Sequence, residues 1–127
     1  MPTVLVVDDA KVIRLLLEDI LKDLGFDVRL SCNGSEALDA LRQSPEISLA
    51  LVNWNMPKMN GLDLVTAMRA DLRYSSITIL MVTSEADVDH ITAALAAGAD
   101  DYVMKPFTGQ VIEEKLLLLG LIQGQSV

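Results

Sequence analysis

Five short apolar runs, separated by longer amphipathic stretches, constrain the fold of this chain more than any other feature of its sequence. Three of the runs are apolar almost throughout, which is typical of strands that are buried on both faces of a parallel sheet. The run at 28–30 is short and flanked by polar residues, which predicts an edge strand. The predicted strands cover residues 4–7, 28–30, 49–52, 77–82 and 102–104.

Each predicted strand is followed by a stretch in which apolar residues recur at helical spacing. In the first stretch, seven apolar residues from Val12 to Leu24 follow this spacing, and Gly25 is predicted to end the helix. The predicted helices cover residues 11–24, 35–43, 61–72, 86–97 and 109–123. Five successive βα units predict the α/β class, with a doubly wound five-stranded parallel sheet between two layers of helices.

The length and charge of the chain narrow its class further. The 127 residues suit one domain over 1–127, and a net charge of −8 argues against direct binding to nucleic acid. The apolar runs are far shorter than the roughly 20 residues that a membrane-spanning helix needs. No basic, cleavable leader is evident at the N-terminus, and the single cysteine excludes an internal disulfide. We therefore expect a soluble cytoplasmic protein without nucleic-acid or membrane partners.

Polar residues that can carry chemistry follow four of the five predicted strands. Ligands of doubly wound sheets bind at the carboxyl ends of the strands, so these residues should share one edge of the sheet. Adjacent aspartates supply oxygen ligands that suit Mg²⁺, and a hydroxyl and an ammonium could hold the oxygens of a phosphoryl group. The strand ends in question are Asp8-Asp9, Asn53, Thr83-Ser84 and Lys105-Pro106.

These strand ends carry motifs that resemble the response-regulator receiver domain family, above all its single-domain chemotaxis members. The motifs are Val6 to Asp9, Asn53 to Gly61, Thr83 to Glu85 and Tyr102 to Thr108, and the resemblance covers essentially the whole chain. It implies a flavodoxin-like three-layer sandwich with strand order 2-1-3-4-5. It also implies a stand-alone switch in a two-component phosphorelay rather than an enzyme.

The resemblance assigns a magnesium site to the first and third strand ends. Asp8 and Asp9 look like the metal-binding pair, with Asp9 the more direct ligand, and the backbone carbonyl of Asn55 would complete the protein ligands. Asn53 stands where the family has its phosphoacceptor aspartate and would be a weakened metal ligand, because the pocket has lost one negative charge. Gly61 is expected to form the tight turn into the third helix.

The resemblance assigns the switch to the fourth and fifth strand ends. Thr83 looks like the hydroxyl that turns towards a phosphoryl oxygen, and Tyr102 looks like the aromatic side chain that follows it. Tyr102 could equally be half-buried packing at the start of a short strand. Lys105 would pair with the phosphoryl group, and Lys105-Pro106 is a candidate cis peptide.

The amide of Asn53 cannot form the aspartyl phosphate on which the family depends, because it is a far weaker nucleophile than a carboxylate. This form should therefore neither accept phosphate nor dephosphorylate itself. One explanation is an engineered Asp-to-Asn substitution that holds an ordinary receiver in its unphosphorylated state. The other is a natural pseudo-receiver that acts as a phosphorylation-independent interaction module. We favour the first, because the rest of the phosphorylation site is intact.

The expected partners are a histidine kinase or phosphotransfer protein and an output protein. Receivers resembling this one use the fourth helix, fifth strand and fifth helix for output. The apolar residues of the fifth helix cover more than half of its circumference, so some should be exposed. This surface, which could also form a homodimer, includes His90, Tyr102, Leu117 and Leu118. We expect His90 to be solvated and away from the pocket, and Trp54 to lie near the metal.

Two other functions fit the sequence less well. A phosphatase like the haloacid dehalogenases needs a second aspartate two residues after the first, and Ala10-Lys11 follows Asp8-Asp9 instead. A flavodoxin-like flavin carrier needs a Ser-, Thr- or Gly-rich phosphate loop, which residues 10–13 do not provide.

Overall fold

Five parallel strands lie side by side in the order β2-β1-β3-β4-β5 in a computed structural model, which describes residues 2–84 and 88–122. This order and the parallel pairing confirm the predicted doubly wound sheet, with β2 at one edge. β1 is buried along its whole length, as expected of a central strand, whereas β2 is largely half-buried. The strands are β1 Thr3–Val7, β2 Asp27–Ser31, β3 Ile47–Asn53, β4 Thr78–Thr83 and β5 Asp101–Met104.

Helices cover both faces of the sheet and bury a separate core on each. Leu17 of α1 and Leu116 of α5 belong to the core on one face, and Leu41 of α2 and Leu64 of α3 belong to the core on the other. Successive residues of β1 alternate between the two cores, as the pleat of a strand requires. The helices are α1 Lys11–Asp23, α2 Gly34–Gln43, α3 Gly61–Arg69, α4 Val88–Ala97 and α5 Gly109–Leu118.

Two helices end earlier than their apolar patterns predict. α3 stops at Arg69 rather than at residue 72, because Asp71 is extended and its side chain caps a separate 3₁₀ turn over Leu72–Tyr74. α5 stops at Leu118 rather than at residue 123, because Gly120 adopts a positive φ of 76° that ends the helix. Residue 123 lies outside the described part of the chain, as do residues 86 and 87 of the predicted fourth helix.

The apolar stripe of α1 is narrower than predicted. Leu17 and Leu21 are buried, but Val12 is 76% exposed and Leu16 is also exposed. Helical spacing alone therefore overstated how much of this helix faces the sheet. Within residues 2–84 and 88–122, no helix is long and apolar enough to cross a membrane.

Candidate functional site

The carboxyl ends of four strands bring the predicted site residues together at one edge of the sheet. β1 and β3 pair in register up to Val7 and Val52, so Asp8 and Asn53 follow side by side. Asn53 in turn lies opposite Val82 of β4, one residue before Thr83. We call this edge, formed by the side chains of Asp8, Asp9, Asn53, Thr83 and Lys105, the carboxyl-end rim.

Asp8 is the buried carboxylate of the carboxyl-end rim, with 1% of its surface exposed. Its Oδ1 accepts a hydrogen bond from the backbone N–H of Ala10 at 2.9 Å, and its Oδ2 lies 3.2 Å from Nζ of Lys105. Arg14 donates to the Asp8 backbone carbonyl at 2.8 Å, a contact that sequence reasoning missed. A buried charge is costly unless it is paired and hydrogen-bonded, and these contacts meet both conditions.

Asn53 lies at the centre of the rim, and both ends of its side chain form hydrogen bonds. Its Oδ1 accepts from Nζ of Lys105 at 2.9 Å. Its Nδ2 donates to the backbone carbonyl of Asn55 at 2.6 Å and to Oδ1 of Asp9 at 3.3 Å. The side chain is 6% exposed. The position predicted to hold the phosphoacceptor is therefore in contact with both the lysine and the oxygens assigned to the metal.

The donor set of this pocket suits a hard divalent cation. The carboxylates of Asp8 and Asp9 and the carbonyl of Asn55 are oxygen ligands of the kind that Mg²⁺ prefers. Asp9 is exposed and can reach a hydrated ion, whereas Asp8 is already paired with Lys105. In the described part of the chain, no group of three or more His, Cys, Asp or Glu side chains could hold a metal. The chemical types of these ligands therefore suit Mg²⁺, although only two of the ligands are carboxylates.

The loop after β3 is held against the rim by a close backbone approach at Gly61. The Gly61 N–H donates to the carbonyl of Trp54 at 2.8 Å. A Cβ at position 61 would lie 2.3 Å from the carbonyl oxygen of Asn53, so only glycine fits without a shift of the backbone. Asn60 caps α3, because its side chain accepts from the Asp63 N–H at 2.8 Å.

The residues assigned to the switch lie on β4 and β5. Thr83 is 3% exposed, and its backbone carbonyl accepts from the N–H of Lys105 at 2.7 Å. Tyr102 is half-buried, with Nζ of Lys115 at 5.2 Å from the centre of its ring. The Lys105-Pro106 peptide bond is cis. The switch roles of Thr83 and Tyr102 stay predictions.

The expectation that His90 is solvated was wrong. His90 is half-buried on α4, and its ring packs edge-to-face on Trp54 with 5.0 Å between the ring centres and 83° between the planes. Trp54 directly follows Asn53, so α4 contacts the residue next to the predicted acceptor position. No local pattern in the sequence reveals this contact, because it joins residues of two different βα units.

Exposed apolar side chains are grouped on two helices, while Leu72 and Leu95 are exposed elsewhere. On α5, Leu118 is 79% exposed and Leu117 and Val111 are also exposed, as the apolar excess of that helix predicts. The second surface was not predicted: Val12, Leu15 and Leu16 of α1 are exposed. Beside them lies a groove of about 320 Å³ that reaches Lys105 and is lined by Ile13, Leu16, Ser84, Lys105, Pro106 and Phe107.

Comparisons with known proteins agree with this geometry. A family model described as the response regulator receiver domain matches residues 4–117. The chemotaxis protein CheY1 of Helicobacter pylori is 43% identical over 113 residues, which cover 88% of this chain and 91% of that protein. The chemotaxis protein CheY of Pseudomonas aeruginosa is 43% identical over 89% of this chain and 91% of its own length. The structure of Vibrio cholerae CheY4 superposes with a TM-score of 0.88 at 31% identity, covering 93% of this chain and 98% of that one.

Proposed function

Because the chain belongs to the response regulator receiver domain family, we propose that it is a cytoplasmic chemotaxis-type receiver in which Asn53 prevents phosphorylation. The observation that carries this proposal is the position of the Asn53 carboxamide, with Nζ of Lys105 2.9 Å from one end and Oδ1 of Asp9 3.3 Å from the other. CheY-type receivers are signalling proteins that interact with kinases and output proteins.

The rim accounts for the chemistry that an aspartate at position 53 would perform. A carboxylate oxygen there forms a bond to phosphorus while the bond from phosphorus to the donor histidine nitrogen breaks, and that nitrogen keeps the electron pair. Lys105 holds one phosphoryl oxygen by a charge-assisted hydrogen bond, and the Thr83 hydroxyl donates to another. Asp8, Asp9 and the carbonyl of Asn55 would hold Mg²⁺, which would supply positive charge to the transferring group.

With asparagine at position 53, the first of these steps fails. The amide nitrogen has no free electron pair for attack on phosphorus, and the amide oxygen is a weak nucleophile. The same substitution removes one of three close carboxylates, so Mg²⁺ binds more weakly. The retained Asp8, Asp9, Thr83 and Lys105 support an Asp-to-Asn substitution introduced into an ordinary receiver.

A second function is favoured by one specific observation. Both ends of the Asn53 side chain are hydrogen-bonded without any ligand, so the pocket is satisfied as it stands. A natural pseudo-receiver that binds its partner independently of phosphate would have such a pocket. In that case, partner binding is unaffected by the change Asn53→Asp.

Two partner surfaces are proposed, one from the family resemblance and one from exposed apolar side chains. The output protein, or a second copy of the chain, would contact α4, β5 and α5, where His90, Tyr102, Leu117 and Leu118 lie. A phosphodonor protein has to reach position 53 from outside, and the exposed apolar side chains of α1 lie beside the groove that leads to Lys105. Leu16→Ser should then slow transfer from a kinase in the Asn53→Asp background and leave phosphorylation by acetyl phosphate unchanged.

The deciding experiment compares this chain with Asn53→Asp and, as a matched control, Asn53→Ser. Each protein is treated with acetyl phosphate or beryllofluoride in the presence of Mg²⁺. Intact mass and Trp54 fluorescence are then recorded. We expect a phosphoryl adduct and a fluorescence change in the Asn53→Asp variant alone. An adduct on the unaltered chain, or no adduct on the Asp variant, would contradict the proposal.

A further inference from the structure

The Asn53 carboxamide does more to the metal site than remove a charge. Its Nδ2 donates to the carbonyl oxygen of Asn55 and to Oδ1 of Asp9, at 2.6 and 3.3 Å. These are two of the oxygens that the proposed function assigns to Mg²⁺, and the inference rests on that assignment. We propose that the Asn53 amide nitrogen occupies the place of the cation, so that Mg²⁺ has to displace it in order to bind.

The amide orientation is fixed by its other end. Oδ1 accepts from Nζ of Lys105 at 2.9 Å, and Lys105 is also paired with Asp8 at 3.2 Å. A flipped amide would direct its N–H groups at the ammonium of Lys105 and its oxygen at two other oxygens. All three hydrogen bonds would be lost, because an ammonium only donates and a carboxylate only accepts. At 6% exposure, little water can replace them.

Mg²⁺ binding therefore requires more than a vacant coordination position. The ion needs the lone pairs of the Asp9 carboxylate and the Asn55 carbonyl, to which the amide N–H groups now donate. Both oxygens keep further lone pairs, but the amide nitrogen fills the position within reach of both. An ion that binds both oxygens therefore requires the Asn53 side chain to rotate away, which also breaks the bond to Lys105. Asn53 therefore acts as a specificity-determining residue that lowers the affinity of the pocket for divalent cations.

Blocking by the amide and simple loss of charge make opposite predictions for one substitution. Asparagine and alanine carry the same charge, so loss of charge alone leaves Asn53→Ala no better than the unaltered chain. It could even be worse, since alanine offers no oxygen ligand. If the amide blocks the site, Asn53→Ala frees the oxygens of Asp9 and Asn55 and binds Mg²⁺ more tightly.

The test is a Mg²⁺ titration, followed by Trp54 fluorescence and by calorimetry, of the unaltered chain, Asn53→Ala and Asn53→Asp. We expect affinity to rise in that order. The gain from asparagine to alanine should be about tenfold, the change in affinity that one net hydrogen bond represents. The Asn-to-Ala comparison is repeated in a Lys105→Ala background, because a freed lysine could itself move into the cation position. Equal or weaker binding by the alanine variants in both backgrounds overturns the proposal.

A second measurement needs no variant. The side-chain amide protons of Asn53 should exchange with water slowly in the metal-free protein, compared with those of exposed asparagines, and excess Mg²⁺ should speed their exchange. Fast exchange without metal overturns the proposal. Failure of Asn53→Asp to accept phosphate would contradict the proposed function and leave these two results unaffected, so the two failures can be told apart.

Discussion

At the carboxyl-end rim the polar side chains bond mainly to each other across distant parts of the chain, whereas at the opposite edge they bond mainly to backbone groups and near neighbours. The bond from Lys105 to Asp8 joins residues 97 positions apart, and that to Asn53 joins residues 52 apart. At the opposite edge, Arg69 donates to the carbonyls of Gly98 and Tyr74, at 2.9 and 3.2 Å. We call that edge, with Arg69, Asp71, Arg73 and Asp100, the amino-end rim.

The difference separates polar groups that bond to backbone from those for which we propose a function. At the amino-end rim, Arg69 satisfies carbonyls where helices end, and Asp100 accepts from the N–H of Ile79 at 2.7 Å where a strand begins. Backbone groups that need partners fix these side chains in place. At the carboxyl-end rim, carboxylates, an amide and a lysine meet mainly because four strands end together. Such groups can regroup around a ligand without breaking the sheet.

The largest effect on stability is expected at Gly61, where the backbone of the carboxyl-end rim packs closely. Gly61→Ala places a Cβ 2.3 Å from the Asn53 carbonyl oxygen, which should lower the free energy of unfolding by about 3 kcal/mol. Gly34→Ala is the matched control: its Cβ meets the flexible side chain of Met59, so its cost should be clearly smaller. Urea unfolding measures both, and equal costs would show that the approach at Gly61 is not rigid.

At the amino-end rim, Arg69→Ala should cost about 2–3 kcal/mol of unfolding free energy, because it leaves several carbonyls without this donor and Asp100 without its ion-pair partner. The same change, made in the Asn53→Asp background, should leave the rate of phosphorylation by acetyl phosphate unchanged. Urea unfolding measures the loss of stability, and intact-mass kinetics measure the rate of phosphorylation. Slower phosphorylation would show that the amino-end rim affects the chemistry of the carboxyl-end rim.

A smaller stability effect is expected from Asn53→Asp in the absence of metal. The substitution replaces a neutral hydrogen-bond donor with a third carboxylate near Asp8 and Asp9, so stability should fall by about 1–2 kcal/mol. Added Mg²⁺ should stabilise the Asn53→Asp variant more than it stabilises the unaltered chain, and should thereby reverse the loss. Melting temperatures with and without Mg²⁺ provide the measurement, and identical metal-free curves at several pH values would contradict it.

The smallest effect is expected at the exposed end of the amino-end rim. The hydrogen bond from Arg73 lowers the pKa of Asp71 below its usual value. A folded-state pKa that is lowered stabilises the protein above the unfolded pKa, and that stabilisation is lost as pH falls through the folded value. Arg73→Ala should therefore raise the pKa of Asp71, with a stability change visible at neutral pH and absent in strong acid. NMR titration of the Asp71 carboxyl tests the shift, and an unchanged Asp71 pKa in the Arg73→Ala variant would contradict it.

The sequence predicts most of the sheet and the rim, because both follow from local signals. Apolar runs locate the strands, and the parallel arrangement brings their polar carboxyl ends to one edge. The strand order needed the family resemblance, since periodicity does not say which strands are neighbours. The early end of α3 depends on the cap supplied by Asp71, which competes with an apolar pattern that continues to Leu72.

The contacts that sequence reasoning missed are of two kinds. The packing of His90 on Trp54 and the bond from Asn53 to Asp9 join side chains of different units. The bonds from Arg14 to the Asp8 carbonyl and from Asn53 to the Asn55 carbonyl are closer in sequence, but they depend on how each side chain is oriented. From sequence, Asn53 is a missing carboxylate, and only the geometry shows what its nitrogen contacts.

The bond between Lys105 and Asp8 also bears on the order in which the pocket comes into being. These residues stand near opposite ends of the chain, and closing so long a loop carries an entropic cost that earlier contacts must offset. Asp8, Asp9 and Asn53 leave the ribosome well before Lys105. A growing chain can thus assemble the acidic half of the pocket early, but gains its neutralising lysine only when β5 docks beside β4. Until then the unfinished domain carries uncompensated negative charge at its sheet edge. Its affinity for cations should therefore be higher than that of the folded domain, and should fall when folding is complete.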